Sequence, residues 1–299
     1  MEANMLFYQP VKLSDREWVE PIFRSSGFMG SEYTFSNLYN WSKAYTFALA
    51  KFDGFVVVKN GKDDAAYLYP AGSGDFRAVI EAMKEDAASL GKPLRLTGVT
   101  GEKKAALERE FPDRFRFTPV RDNYDYLYRV DRLTTLAGKK LHGKRNHINR
   151  FLENNPDWRY ERITPENIGA VSEMSAEWCK INKCSQDGSL KREACAVKSG
   201  LEHFFELELT GGVLWAGGRI VGFSYGSPVS ESVFDVQVEK AFYDVQGAYP
   251  MINQQFVTNE LQSFEYVNRE DDLGAEGLRK AKLSYYPDLL LEKWIAEEA

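Results

Sequence analysis

The sequence predicts a mixed α+β protein with largely antiparallel sheets, laid out as two similar halves. Three observations carry this. Short apolar runs alternate with Gly, Asn and Asp turns, a glycine turn opening an amphipathic segment occurs twice, and a basic stretch separates the two occurrences. At 299 residues the chain suffices for one large domain or two ordinary ones. Its 43% hydrophobic and 27% charged residues fit a globular protein with a full core.

Along the chain, MEANMLFYQPVKLSDREW has no basic region leading into an apolar run, so no signal peptide is expected. No stretch approaches the roughly 18 apolar residues of a membrane span, and a cytoplasmic location is expected. Residues 45–70, YTFALAKFDGFVVVKNGKDDAAYLYP, read as three strands with turns at Asp53-Gly54 and Asn60-Gly61. The glycine turn AGSGD and the helical pattern FRAVIEAMKEDAASL follow, then the strand LRLTGV. Residues 211–240 again read as strands, turning at Gly217-Gly218. They lead into the turn DVQGAYP, the helix MINQQFVTNELQS and the strand FEYVN.

Antiparallel strands, a glycine turn opening a helix, then a further strand are the order of elements in a GNAT-type N-acyltransferase. Two such passages predict tandem GNAT-like domains, residues 1–131 and 132–299. The join is chemically distinct. RLTTLAGKKLHGKRNHINRFL, residues 132–152, has no acidic residue although the protein carries a formal charge of −6. A helix is expected around 138–154, with Leu141, Ile148 and Leu152 as its apolar stripe. Lys139, Lys140, Lys144 and Arg150 are its candidates for an anionic partner. Arg145 falls near the apolar stripe, where an unpaired charge is costly, so an internal carboxylate partner is expected.

GKKLHGKRNHINRF at the join and NREDDLGAEGLRKAKLSYYP near the C-terminus resemble the C-terminal domain of phosphatidylglycerol lysyltransferase, and in particular soluble stand-alone bacterial proteins sharing that domain. The basic helix is also similar to that of Fem-type aminoacyltransferases. The resemblance implies a transferase moving an aminoacyl group from aminoacyl-tRNA to an amine or hydroxyl acceptor, with tRNA as a partner of the basic helix. The membrane-embedded half of the lysyltransferases has no counterpart here, which puts a lipid acceptor in doubt, and the acceptor, a small molecule or a lipid headgroup, stays open. Two further readings stay open: an acyltransferase using acyl-CoA, and an inert module of this fold that binds RNA or another anionic partner.

Acyl transfer needs a cradle for the donor, a base for the acceptor proton and a stabiliser for the oxyanion. The turn of Gln246, Gly247, Ala248 and Tyr249 opens a helix as a phosphate cradle does. Asp244 and Tyr249, however, stand where a coenzyme A site has Arg or Gln and a small residue. Gly72-Ser73-Gly74 in the first half lacks the leading Arg or Gln as well. At strand spacing Asp235, Gln237 and Glu239 share a face, and Glu239 is a candidate base. The run beyond the strand FEYVN would reach the cleft at the carboxyl end of the sheet. Asn268, Arg269 and Asp272 are donor-binding candidates there, and Glu270 is a second candidate base. Lys282 and Arg279 are the cations expected to steady an anionic donor.

Cys179, Cys184 and Cys195 are an odd number with no zinc spacing, and unpaired thiols are expected; no metal site is assigned, with His203 nearby.

Overall fold

The computed structural model describes residues 5–61 and 66–299. The loop continuing from the turn expected at Asn60-Gly61 lies outside the described residues. Two sheets form, with eight and seven strands. In the first the order is Gln9–Pro10, Ala48–Phe52, Phe55–Asn60, Ala66–Leu68, Arg95–Val99, Trp294–Glu298 and Phe115–Pro119, with Ala71–Gly72 beside Phe55–Asn60. In the second it is Arg159–Arg162, Thr210–Ala216, Arg219–Pro228, Val233–Ala241, Tyr266–Asn268, Asp125–Arg129 and Leu289–Leu291.

The two orders match position by position, and each has one parallel pair among the described strands, the fourth with the fifth. The chain therefore has two GNAT-like halves, as its pattern of turns and strands predicts. What the pattern does not reveal is an exchange. The sixth strand of each sheet comes from the other half of the chain: Trp294–Glu298 completes the first sheet, and Asp125–Arg129 the second. The division at 131/132 remains our proposal for chain order; in space the sheets trade strands across it.

Each fourth strand leads through a glycine turn into a helix, Phe76–Ser89 or Ala248–Glu260. Their apolar faces, Val79, Ile80 and Met83 in one and Met251, Ile252 and Phe256 in the other, fill separate cores. A third core joins the halves. It packs Phe23, Tyr33, Phe35 and Val58 with Val213, Phe223, Tyr225 and Val238, all under about a tenth exposed. So much shared apolar burial holds the sheets as one unit.

Cys179 and Cys184 are disulfide-bonded, with Cα atoms 5.2 Å apart, and Cys195 is exposed. This corrects the expectation of three unpaired thiols. The helix Ile168–Ile181 ends between the two and the chain folds back within five residues, a local closure that an odd cysteine count conceals. No helix among the described residues is long and apolar enough to cross a membrane.

Candidate active site

The strands Val233–Ala241 and Tyr266–Asn268 pair only from Val233↔Tyr266 to Asp235↔Asn268 and then part. Side chains beyond that point line a wedge at the carboxyl end of the sheet. The local geometry of Val233–Ala241 decides which way they face. Tyr225 pairs with Val238 but Gly226 with Val236, so Gln237 is an extra residue in the ladder, a β-bulge. Gly226 permits it: a Cβ there would lie 1.8 Å from the carbonyl oxygen of Asp235. Asp235, Gln237 and Glu239 therefore do not share a face, contrary to the simple alternation. The bulge leaves Val236 in the core of the second half and turns Val238 to the core between the halves.

On the side facing the first half the wedge is acidic. Asp235 is fully buried, and neither carboxylate oxygen has a hydrogen-bond partner. Burial pushes its carboxyl well above the usual range, helped by Glu270 and Asp125. Gln237 donates to the hydroxyls of Thr34, Ser36 and Ser227 at 3.1, 2.7 and 3.1 Å, leaving its oxygen without a donor. Glu270 accepts from Asn37 at 2.9 Å. Its pKa is pushed up to about 8 by burial, with Asp271 and Asp125 adding and Lys282 opposing. Asp271 rises to about 6, again chiefly through burial. Glu270, Asp271, Gln237 and Asn37 are half-buried, so they form the mouth above the buried Asp235 and Asn268.

The floor joins both halves. Asn268 donates to Asp125 at 2.8 Å and to the carbonyl of Met29 at 2.9 Å. Asp125 also accepts from the Ser31 amide at 2.9 Å and pairs with Lys293 at 2.8 Å. Lys293 reaches Glu32 as well, at 2.7 Å. Burial alone would lower the Lys293 pKa, but the two carboxylates more than reverse this.

The turn carrying Glu270 is held in a demanding shape. Glu270 has φ +56, a left-handed conformation uncommon for a residue with a side chain. The Asn268 side chain accepts from the Glu270 amide at 2.7 Å, and Lys282 donates to the carbonyls of Arg269, at 2.6 Å, and Asp271. Asp272 is buried and braced by Arg279, whose guanidinium also meets Asp122 at 2.6 Å. Although burial works against it, Arg279 and Tyr126 hold the Asp272 pKa down to about 2. The charge run after FEYVN thus folds inward as one wall of the wedge. Lys282 and Arg279, expected to meet an anionic donor, are both engaged in bracing it.

The opposite side of the wedge is mixed. Glu239 pairs with Arg269 at 2.9 Å and accepts from Asn253 at 2.8 Å. Arg269 lies over Tyr285 at 4.9 Å, and one of its buried guanidinium nitrogens has no acceptor. Lys144 lies 4.0 Å from the Tyr285 ring centre. Burial, then Arg269, lowers its pKa to about 8, against the pull of Glu239. Lys144 comes from the basic helix, which spans His142–Asn154. Lys139, Lys140 and Arg150 are exposed, and none of the four cations has an acidic partner within salt-bridge distance among the described residues. Arg145 corrects one expectation. It donates to the carbonyls of Leu136 and, at 2.8 Å, Gly138 rather than to a carboxylate, because the helix Val130–Thr135 ends there with carbonyls free.

The two glycine turns are both filled by the protein itself. At Gly247, φ +84, a Cβ would lie 2.1 Å from the carbonyl oxygen of His147, so the basic helix packs directly on the turn. Gln246 is exposed, Ala248 is buried, and Tyr249 accepts from Trp178 at 3.2 Å. In the first half a Cβ at Gly72 would meet the Gly54 carbonyl oxygen at 2.1 Å, and Asp75 caps the helix by accepting from Ala78 at 3.0 Å. A surface cleft of about 770 Å³, bordered by Arg16, Glu20, Arg24 and Glu208, is lined by none of the wedge residues.

Residues 23–297 match the family described as phosphatidylglycerol lysyltransferase, C-terminal. The chain belongs to that family. A conserved protein of unknown function from Bacteroides thetaiotaomicron is 41% identical over 99% of this chain and all of its own, with a TM-score of 0.94. The C-terminal domain assigned to a lysylphosphatidylglycerol synthetase of Agrobacterium fabrum shares the fold, with a TM-score of 0.68 at 13% identity over 96% of this chain and 92% of that one. L-PGS of Bacillus licheniformis does likewise, at 0.65 and 17% over 97% and 92%. An uncharacterized protein of Mycoplasmoides gallisepticum is 23% identical over 58% of this chain, which spans only 56% of that protein's length. Membership of the family supports an acyl- or aminoacyl-transferase lineage.

Sequence reasoning singled out Glu239, Glu270, Asn268, Arg269, Asp272 and Lys282, and the structure gathers them around the wedge. It did not single out Asp125, Lys293, Asn37 or the serine and threonine hydroxyls of the first half. The available signal was an acid opening the apolar strand DYLYR and a lysine leading into the last strand.

Proposed function

We propose that this protein transfers an aminoacyl group from aminoacyl-tRNA to an amine or hydroxyl acceptor, with Glu270 as proton acceptor. The observation that carries this reading is Glu270 itself. It is a half-buried carboxylate at the mouth of the wedge, fixed by Asn37 and the Asn268 turn, with its pKa pushed to about 8. The acceptor atom attacks the ester carbonyl carbon, and the new bond forms as the carbonyl carbon–oxygen bond to the tRNA ribose breaks. The acceptor proton passes to Glu270 and then to the leaving ribose oxygen. Lys282 is a positioning residue, holding the carbonyls on either side of Glu270.

Lys144 and Arg269 on the other side of the wedge, continued by Lys139, Lys140 and Arg150, suit the phosphates of a tRNA end. A cytoplasmic location goes with that donor. Acyl-CoA fits less well, because the His147 carbonyl packs on the Gly247 turn and Asp75 caps the helix of the other half. The test is loss of label from aminoacyl-tRNA in the presence of amines and alcohols. Wild type is expected to transfer the aminoacyl group and Glu270→Gln to lose turnover roughly 100-fold or more while melting no lower than wild type at pH 6. Full turnover by Glu270→Gln, or a saturable thermal shift with acetyl-CoA and none with tRNA, would overturn the reading.

A further inference from the structure

A second cleft, of about 410 Å³, is lined by none of the wedge residues. It lies between the halves, with Lys43 and Ala44 at the end of the helix Phe35–Ser42 on one side and the helix Gly188–Glu202 on the other. Lys191, Cys195, Lys198, Ser199 and Glu202 recur at helical spacing and share the face that lines it, with Arg192 beside them. A cleft of this volume between packed units is of the usual size and place for a small-molecule site.

Its charge is opposite to that of the whole chain. Four cations border it against one carboxylate, in a protein with a formal charge of −6. Lys198 reaches Glu202 at 3.6 Å, whereas Lys43, Lys191 and Arg192 have no acidic partner within salt-bridge distance among the described residues. Arg192 is oriented by Tyr45, whose hydroxyl accepts from its Nε at 3.2 Å, and its two terminal nitrogens stay free to donate. Ser199 is an independent sign of a ligand. It lines the cleft yet is only 2% exposed, and its hydroxyl has no hydrogen-bond partner. A buried hydroxyl left unpaired is costly, and one beside unpaired cations is a ready donor to an anion.

We propose that this cleft binds the phosphoryl group of a small metabolite. A phosphate monoester presents three oxygens in a tetrahedral arrangement. These can accept together from the Arg192 fork, the Lys43 and Lys191 ammoniums and the Ser199 hydroxyl, which come from both sides of the cleft. A carboxylate offers two oxygens in one plane and would leave more of these donors unmet. The backbone of a nucleic acid is another source of phosphate, and the test separates the two. Neither the wedge nor the transfer reaction enters this reading.

Cys195 lets the cleft report its own occupancy, since it is an exposed free thiol there while Cys179 and Cys184 are joined. The full, unreduced chain is labelled with N-ethylmaleimide and the rate at Cys195 is read by peptide mass spectrometry. Glycerol 3-phosphate, AMP and inorganic phosphate are the probes. Glycerol, adenosine, citrate and an RNA oligonucleotide without a terminal phosphate are the comparisons, all at one ionic strength. At least one probe should slow labelling saturably, about tenfold at ten times its dissociation constant. Lys191→Gln combined with Arg192→Gln, both at exposed positions, should raise the concentration needed roughly tenfold or more, and Ser199→Ala should raise it by roughly the same factor. Lys139→Gln with Lys140→Gln, on the basic helix, should leave it unchanged.

The proposal is overturned if no probe slows labelling, if glycerol or adenosine slows it equally, or if the cleft variants keep wild-type sensitivity. Protection by citrate alone would replace the phosphoryl group with a carboxylate and overturn the assignment. Stronger protection by the oligonucleotide than by AMP would make the cleft part of a nucleic-acid face and not a metabolite site.

Discussion

The two halves share a strand order, a single parallel pair and a glycine turn into a helix, yet they differ in what fills the wedge. In the first half the core beside that pair is largely apolar and aromatic: Tyr67, Tyr69, Phe76 and Phe111 pack there. One of its buried cations, Lys103, lies 3.8 Å from the ring centres of Phe28 and Tyr33 and donates to the Gly98 carbonyl at 3.1 Å. In the second half the same position carries Asp235, Gln237, Glu239, Arg269 and Glu270. One copy is a scaffold and the other holds the reactive groups, and the exchanged strands tie them together. Asp125 arrives with one exchanged strand, and Lys293 immediately precedes the other.

The largest effect is expected at that tie. Lys293→Met leaves buried Asp125 and half-buried Glu32 without their cation, and breaking a buried pair such as Lys293–Asp125 by removing one partner costs about 3–5 kcal/mol. Because the pair links both sheets, chemical denaturation should show both halves destabilised together. Destabilisation of the first half alone would mean that the exchange couples them weakly.

The glycine turns test whether the halves also resemble one another in packing. Gly247→Ala would push a Cβ to 2.1 Å from the His147 carbonyl at φ +84. Gly72→Ala would push one to 2.1 Å from the Gly54 carbonyl at φ +136. Each should cost about 2–4 kcal/mol through overpacking and backbone strain. An unaltered melting temperature for Gly247→Ala would indicate a turn open enough to take a phosphate.

Much of this scaffold was legible, because turns and strands are local. Asp53-Gly54, Gly217-Gly218 and the two glycine turns announce themselves within a few residues. Strand exchange is not local: DYLYR reads as a strand, but nothing in it says which sheet it joins. The site was legible in part for the same reason. Glu270 stands out in a charge run, whereas its partner Asn37 is 233 positions away. Alternation misled at Gln237, since the bulge depends on Gly226 in a neighbouring strand.

The pH dependence of stability should have opposite slopes from the two halves. Glu270 has its folded pKa raised from 4.5 to about 8, chiefly by burial. Its contribution is fully present below the unfolded pKa and is lost as pH rises through that window. Lys103 has its pKa lowered from 10.5 to about 7, again by burial, so the unfolded state binds more protons between those values and stability rises with pH. Melting curves of Glu270→Gln should therefore gain on wild type between pH 5 and pH 8, and Lys103→Met should remove a rise above about pH 7. Parallel pH profiles for wild type and both variants would show that neither group titrates in its window.

The smallest effect on stability, and the most selective effect on function, is expected on the basic face. Lys139, Lys140 and Arg150 are exposed in the second half, and Lys43, Lys51 and Arg116 are exposed in the first. Replacing either trio with Gln should leave stability within about 0.5 kcal/mol per substitution, since none lies in a core. If the second half alone meets the donor, only its trio should alter tRNA binding. Each lost phosphate contact lowers the salt slope by about 0.7–0.9, so three contacts would lower it by roughly 2–3. Equal loss from both trios would mean attraction without a docking face, and the two halves would then differ in chemistry but not in recognition.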